Sequence, residues 1–201
     1  MPDQTTTSPS GFTSSPPPAK PANDHLLSAL HPSAICRVVP HSWIDLISST
    51  MEPEQPWHAA FPAPKTTEPA SLTREQVLEK LRAGGIGREF ILVDVRRNDY
   101  EGGTVRGSIN LPAQSLFPTI PTLYQLFKGA GVRYIIWYCG SSRGRGTRAA
   151  GWFNDYIQEQ GDEDMKSVIL TGGIKGWANA GKDFVELMDG YVPEYWAQFR
   201  S

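Results

Sequence analysis

The chain has 201 residues, with 19 Lys and Arg against 21 Asp and Glu and a formal net charge of −2. That balance excludes the basic surface that bulk binding to nucleic acid or to an anionic membrane requires. The longest apolar run, Ile135–Cys139, falls far short of the roughly 20 residues that span a bilayer, and two cysteines cannot build a disulfide framework.

Cysteine usage this sparse suits a reducing compartment. The first residues, MPDQTTTSPSGF, lack the basic and apolar regions of a secretory signal. The expected location is therefore cytoplasmic or nuclear. Composition divides the chain near residue 70. Residues 1–70 hold 13 of 17 prolines, all four histidines (His25, His31, His41, His58) and one of 19 glycines. They read as an N-terminal extension, disordered at its Pro/Ser/Thr-rich start because too little apolar surface is available to offset ordering entropy. Apolar stretches between Leu26 and Trp43 suggest a strand or helix turn docked on the main domain. The segment 57–70, WHAAFPAPKTTEPA, reads as a linker. The histidine gaps of 6, 10 and 17 do not match zinc-site spacing, and no metal is expected.

From residue 71 helices alternate with short apolar strands. Thr73 begins a helix with Gln76 completing a capping box and Gly84-Gly85 ending it. Phe90–Val95 is a continuous apolar run of the kind buried on both sheet faces. Ser108–Leu111 is a weaker strand, stopped by Pro112. Thr122–Lys128 is helical, Tyr134–Tyr138 the strongest strand, and Thr147–Gln160 a helix with Ala149, Ala150, Phe153 and Ile157 on one stripe. Trp152 flanks that stripe and is expected to be exposed. Val168–Leu170 is a last strand, and a helical piece starts at Gly176. This alternation predicts an α/β domain over 71–201, a central parallel sheet covered by helices on both faces. Ligands of such sheets sit beyond the carboxyl ends of the strands.

One such loop carries the chemistry. Cys139-Gly140-Ser141-Ser142-Arg143-Gly144-Arg145 follows the strongest strand and runs straight into a helix. Cys139 is the only cysteine of the domain. Small residues after it let the backbone curl and aim successive N–H groups inward as an anion nest, and the helix adds its positive end. Arg145, six positions on, can set its fork on two peripheral oxygens of a tetrahedral oxyanion held over the thiolate. Backbone amides and a helix N-terminus also favour a thiolate at neutral pH. The alternative is a buried structural cysteine beside a glycine-rich turn.

Three motifs in order identify residues 71–201 as resembling the rhodanese superfamily. They are Asp94-Val-Arg96 with Asp99–Gly103 and Arg106–Pro112, the Cys139 loop, and Leu170–Gly173 with Gly176-Trp177. The seven-residue loop Cys139–Arg145 followed by Gly146 is similar to the branch of cell-division-cycle dual-specificity phosphatases, their small fungal relatives and fungal arsenate reductases. Thiosulfate sulfurtransferases usually have a loop one residue shorter. The resemblance departs at Tyr138 and Thr104, where the family usually carries histidine. Residues 71–201 contain no histidine, so a Cys–His pair within the domain is excluded.

The acidic residues are the candidate proton donors. Asp94 ends a strand near the site and reads as a structural ion pair with Arg96. Asp99 and Glu101 read as solvated loop charges, with a general-acid role as the alternative. Arg143 and Arg148 read as exposed, Trp177 as core, and Cys36 as a buried filler rather than a resolving thiol. The expected function is a cysteine-dependent enzyme acting on a small oxyanion or phosphorylated substrate, of phosphatase or arsenate-reductase type. It needs no cofactor beyond glutathione and glutaredoxin as reductant in the arsenate case. Sulfurtransfer through a Cys139 persulfide is the alternative reaction, and a silent docking module the alternative class. Oligomeric state is not legible in the sequence.

Overall fold

The computed structural model describes residues 55–199. The expectations for the Pro/Ser/Thr-rich start, for Leu26–Trp43 and for Cys36 lie outside the described residues. Within them, β1 (Ser71–Leu72), β2 (Phe90–Asp94), β4 (Ile109–Asn110), β5 (Tyr134–Tyr138) and β6 (Lys166–Leu170) form a parallel sheet in the order β1-β6-β5-β2-β4. A short antiparallel pair, β3 (Thr104–Val105) with β7 (Met188–Asp189), lies apart from it. The α/β expectation holds. β5 takes the centre because its residues are apolar throughout, as a strand covered on both faces must be.

The pleat sends alternate residues of β5 to opposite cores. Ile135 and Trp137, with Cys139 just beyond, join one core with α2 (Ala113–Leu116), α3 (Ile120–Gly129) and α4 (Arg145–Glu159). Ile136 and Tyr138 join the other with α1 (Arg74–Ala83), α5 (Gly173–Ala178), α6 (Lys182–Val185) and α7 (Pro193–Ala197). Cys139 and Tyr138 are thus adjacent in sequence but on opposite faces. Trp177 is fully buried in the second core and donates its indole N–H to the Phe184 carbonyl at 2.8 Å.

Two helix starts contrast. At α1 the Thr73 hydroxyl accepts from the Gln76 amide and the Gln76 side chain accepts from the Thr73 amide, the expected capping box. At α4 the N-cap is Gly144 and no side chain caps it. The helix also begins at Arg145, two residues before the expected Thr147.

The linker expectation for 57–70 is overturned. The compact unit takes in residues N-terminal of Ser71, and this stretch is a strap packed along α4. Asp155 of α4 accepts from the Lys65 amide at 2.6 Å and from the Thr66 amide and hydroxyl at 2.9 and 2.7 Å. The Trp152 indole donates to the Pro62 carbonyl at 2.8 Å. Trp57 and Phe61 meet the Trp152 ring edge-on, with centroids 6.2 and 6.0 Å away. Trp152 is therefore only 3% exposed, against the expectation of an exposed residue. A linker composition concealed three aromatic and proline contacts with a helix more than 80 residues downstream.

Candidate functional site

The loop after β5 is fixed from three sides. Thr147 donates its hydroxyl to the Ser142 carbonyl at 2.6 Å. The amides of Ile174 and Lys175, on the first turn of α5, donate to the carbonyls of Cys139 and Gly140 at 3.0 Å each. Those carbonyls therefore face away from the loop's interior. Gly173 makes this approach possible: its φ is +59°, and a Cβ there would fall on the two carbonyl oxygens. Ser142 adopts φ +58°, a left-handed turn uncommon for a residue with a side chain. A left-handed residue in a short loop turns successive amides to one side, which is the geometry of a nest. Among the described residues, the amides of 140–144 donate to no carbonyl or side chain. With the uncapped start of α4, they leave a run of unengaged N–H groups in the loop that follows Cys139.

Cys139 is 4% exposed and lines an open cavity of about 470 Å³. Gly140, Ser141, Gly144 and Arg145 line it, as expected. Arg143 is exposed outside it. Ser142 differs from its neighbours in the loop. Its side chain is buried and absent from the lining, with its hydroxyl unpartnered beside Gly146. Arg148, read as a solvated helix-end charge, lines the cavity and lies over the Trp152 ring at 5.7 Å. Sequence reasoning missed Trp57, His58 and Lys175, which also line it. A separate cavity of about 290 Å³, under the strap between Pro62, Phe117 and Tyr156, shares no loop residue with this one.

The acidic residues take distinct places. Asp94 and Arg96 form the expected buried ion pair, at 2.7 Å and with both side chains almost wholly excluded from water. Arg96 directs its other donors to the carbonyls of Asp99, Glu101 and Gly103 at 3.3, 2.9 and 2.7 Å. It thereby shapes the 97–103 loop. That loop delivers Asp99 to Arg145 in a two-pronged contact of 2.7 and 2.5 Å. The Arg145 hydrogen bonds hold the Asp99 carboxyl down at about 2, so Asp99 is neither a free solvated charge nor a carboxylic acid at neutral pH. Glu101 contributes its carbonyl to Arg96, while the residue is exposed and outside the lining. Neither is placed as a general acid.

Behind the loop, Tyr138 Oη lies 2.6 Å from Thr104 Oγ1 and 2.7 Å from Ser108 Oγ, and accepts the Val105 amide at 3.2 Å. Thr104 in turn donates to Asp94 at 2.9 Å. Burial pushes the Tyr138 phenol well above its usual range. It remains a neutral support on the sheet face opposite Cys139.

Residues 73–180 match the Rhodanese-like domain family. The chain belongs to that family. Arsenical-resistance protein 2 of Saccharomyces cerevisiae is 30% identical over 98 residues, 45% of this chain and 75% of that protein. A yeast protein tyrosine phosphatase of the rhodanese family superposes with a TM-score of 0.55 at 22% identity, covering 63% of this chain and 96% of that one. The As-Sb reductase of Leishmania major gives 0.56 at 21%, covering 63% and 90%. At these identities the two structures share the fold. The motifs of this rhodanese domain have physical roles: the first builds the Arg96-centred loop that carries Asp99, and the last supplies the glycine that lets α5 grip the Cys139 loop.

Proposed function

We propose that this rhodanese-like protein is a cysteine-dependent enzyme acting on tetrahedral oxyanions, of arsenate-reductase and phosphatase type. The observation that supports it is the set of unengaged amides at 140–144, contiguous with the uncapped start of α4, beside a cavity that Cys139, Gly140, Ser141 and Gly144 line. Such a site holds an anion's peripheral oxygens while the thiolate attacks the central atom. With arsenate, the Cys139 sulfur forms a bond to arsenic and one arsenic–oxygen bond breaks, the oxygen leaving as water. A glutathione thiolate then attacks Cys139 Sγ. The sulfur–arsenic electron pair stays on arsenic, giving arsenite and a mixed disulfide that glutaredoxin reduces.

Arsenate ranks first on the similarity to the yeast arsenical-resistance protein. Asp99, the one carboxylate lining the cavity among the described residues, is occupied by Arg145. Phosphate-ester hydrolysis through a phosphocysteine is the second reading. A cavity of about 470 Å³ lies within the range of organic ligand sites, roughly 300–1,000 Å³, and leaves room for the ester's organic part.

Three assays separate the reactions: arsenate reduction with glutathione and glutaredoxin, p-nitrophenyl phosphate hydrolysis, and thiocyanate formation from thiosulfate and cyanide. Cys139→Ser abolishes whichever is real, and activity surviving that change overturns the assignment. Arsenate or phosphate should also protect Cys139 from iodoacetamide. A thiol alkylated at the same rate with and without anion would mark a passive docking module.

A further inference from the structure

An oxyanion held over Cys139 presents its leaving oxygen away from the sulfur, because displacement is in line. That direction is toward the mouth of the cavity. The leaving oxygen needs a proton there. Asp94 is buried against Arg96, Asp99 is engaged on both oxygens by Arg145, and Glu101 is outside the lining. Lys175 carries its ammonium 3.9 Å from the centre of the Phe199 ring. Arg145 and Arg148 also line the cavity, but a guanidinium does not give up its proton, and the remaining ionisable residue of the lining, among the described residues, is His58.

Its position is built by the fold. His58 lies on the strap, outside the segment 73–180 that matches the family. The strap is fastened to α4 at Asp155 and Trp152, and α4 is the helix whose first turn forms the anion site. The strap and the Cys139 loop are therefore both attached to α4. The Trp57 ring lies edge-on to Trp152 and to His58, at 6.2 and 5.3 Å.

The geometry points to His58 as the proton donor of this site, an inference that rests on the oxyanion reading of Cys139. The thiolate forms its bond to phosphorus or arsenic, the bond to the leaving oxygen breaks, and its electron pair takes the proton from the imidazolium. In the phosphatase case the neutral imidazole then accepts a proton from the water that attacks the phosphocysteine. Phosphate and thiolate are released and the imidazolium is restored. The charged and titratable groups that share the cavity with His58 are Cys139, Asp99, Arg145, Arg148 and Lys175.

The test uses two esters of different leaving-group demand. p-Nitrophenolate departs without a proton, whereas phenolate departs far more readily with one. In the full-length protein, His58→Gln should lower the ratio of phenyl phosphate to p-nitrophenyl phosphate turnover on the order of 10²-fold, the usual contribution of general acid catalysis. It should also remove the alkaline fall of the phenyl phosphate pH profile. Added imidazole should restore phenyl phosphate turnover in His58→Ala. An active wild type whose His58→Gln variant keeps the ratio of the two esters overturns the proposal alone. A wild type inactive on both esters and on arsenate overturns the reading of the site and the proposal with it.

Discussion

Arg145 gives two of its five N–H groups to Asp99, and an incoming anion must share the guanidinium with that carboxylate or displace it. Asp99→Asn removes one negative charge from the cavity. It should tighten inorganic phosphate or arsenate binding by about five-fold, the equivalent of ~1 kcal/mol for a partly exposed pair, as read by competitive inhibition. The acid limb has a definite sign. The folded-state carboxyl at about 2 is lower than its ordinary 3.8, so its contribution to stability is complete above that ordinary value and is lost as pH falls through about 2. The stabilities of wild type and Asp99→Asn should converge over that window, and any rate titration between pH 5 and 8 belongs to another group. Tyr138 is a second residue-scale test. Tyr138→Phe leaves the Val105 amide and the Ser108 hydroxyl without their buried partner. The cost is about 1–3 kcal/mol, or a fall in Tm of roughly 3–10 °C. The Asp94–Arg96 pair was legible in the sequence, since two opposite charges two residues apart at a strand end have little choice of partner. The Asp99–Arg145 pair was not, because its members are 46 residues apart and nothing local joins them.

At the scale of elements, α1 and α4 divide the work of a helix N-terminus. The first is closed by a capping box and serves packing; the second is left open over Cys139. Thr73 and Gln76 announced the first; the bare N-cap at Gly144 was not legible, because the helix was expected to start at Thr147. The grip of α5 on the loop was readable only as a motif, not as a contact. Gly173→Ala should force α5 and the loop apart, because a Cβ would strike two backbone oxygens and φ is positive. The expected cost is more than about 2 kcal/mol, with impaired anion protection of Cys139. The strap yields another prediction. Asp155→Ala removes three hydrogen bonds and should speed hydrogen exchange at the Lys65 and Thr66 amides on the order of 10-fold. Exchange in β5 should stay unchanged. Gly151→Ala, whose Cβ would fall on the Thr66 carbonyl, should release the same segment. Unaltered exchange at Lys65 and Thr66 in both variants would show that the strap holds by its aromatic contacts alone.

Across the whole molecule, the site is the product of a sheet order and an alternation. β5 lies between β2 and β6, so its carboxyl end opens between the loop after β2, which delivers Asp99, and the turn after β6, which delivers α5. The two-residue period of the strand then places Cys139 on the α4 face and Tyr138 on the other. Among the described residues no helix is long and apolar enough to cross a membrane. The sequence by itself determined the parallel α/β sheet, the glycine-rich loop after Cys139 and the Asp94–Arg96 pair, because apolar periodicity, glycine placement and short-range charge act over a few residues. Only the tertiary structure decided that a proline-rich stretch is a wall of the site, that Trp152 is covered, and that His58, Arg148 and Lys175 share a cavity with Cys139. Those outcomes depend on which surfaces come together after the sheet has formed, and neither composition nor local periodicity encodes which surfaces meet.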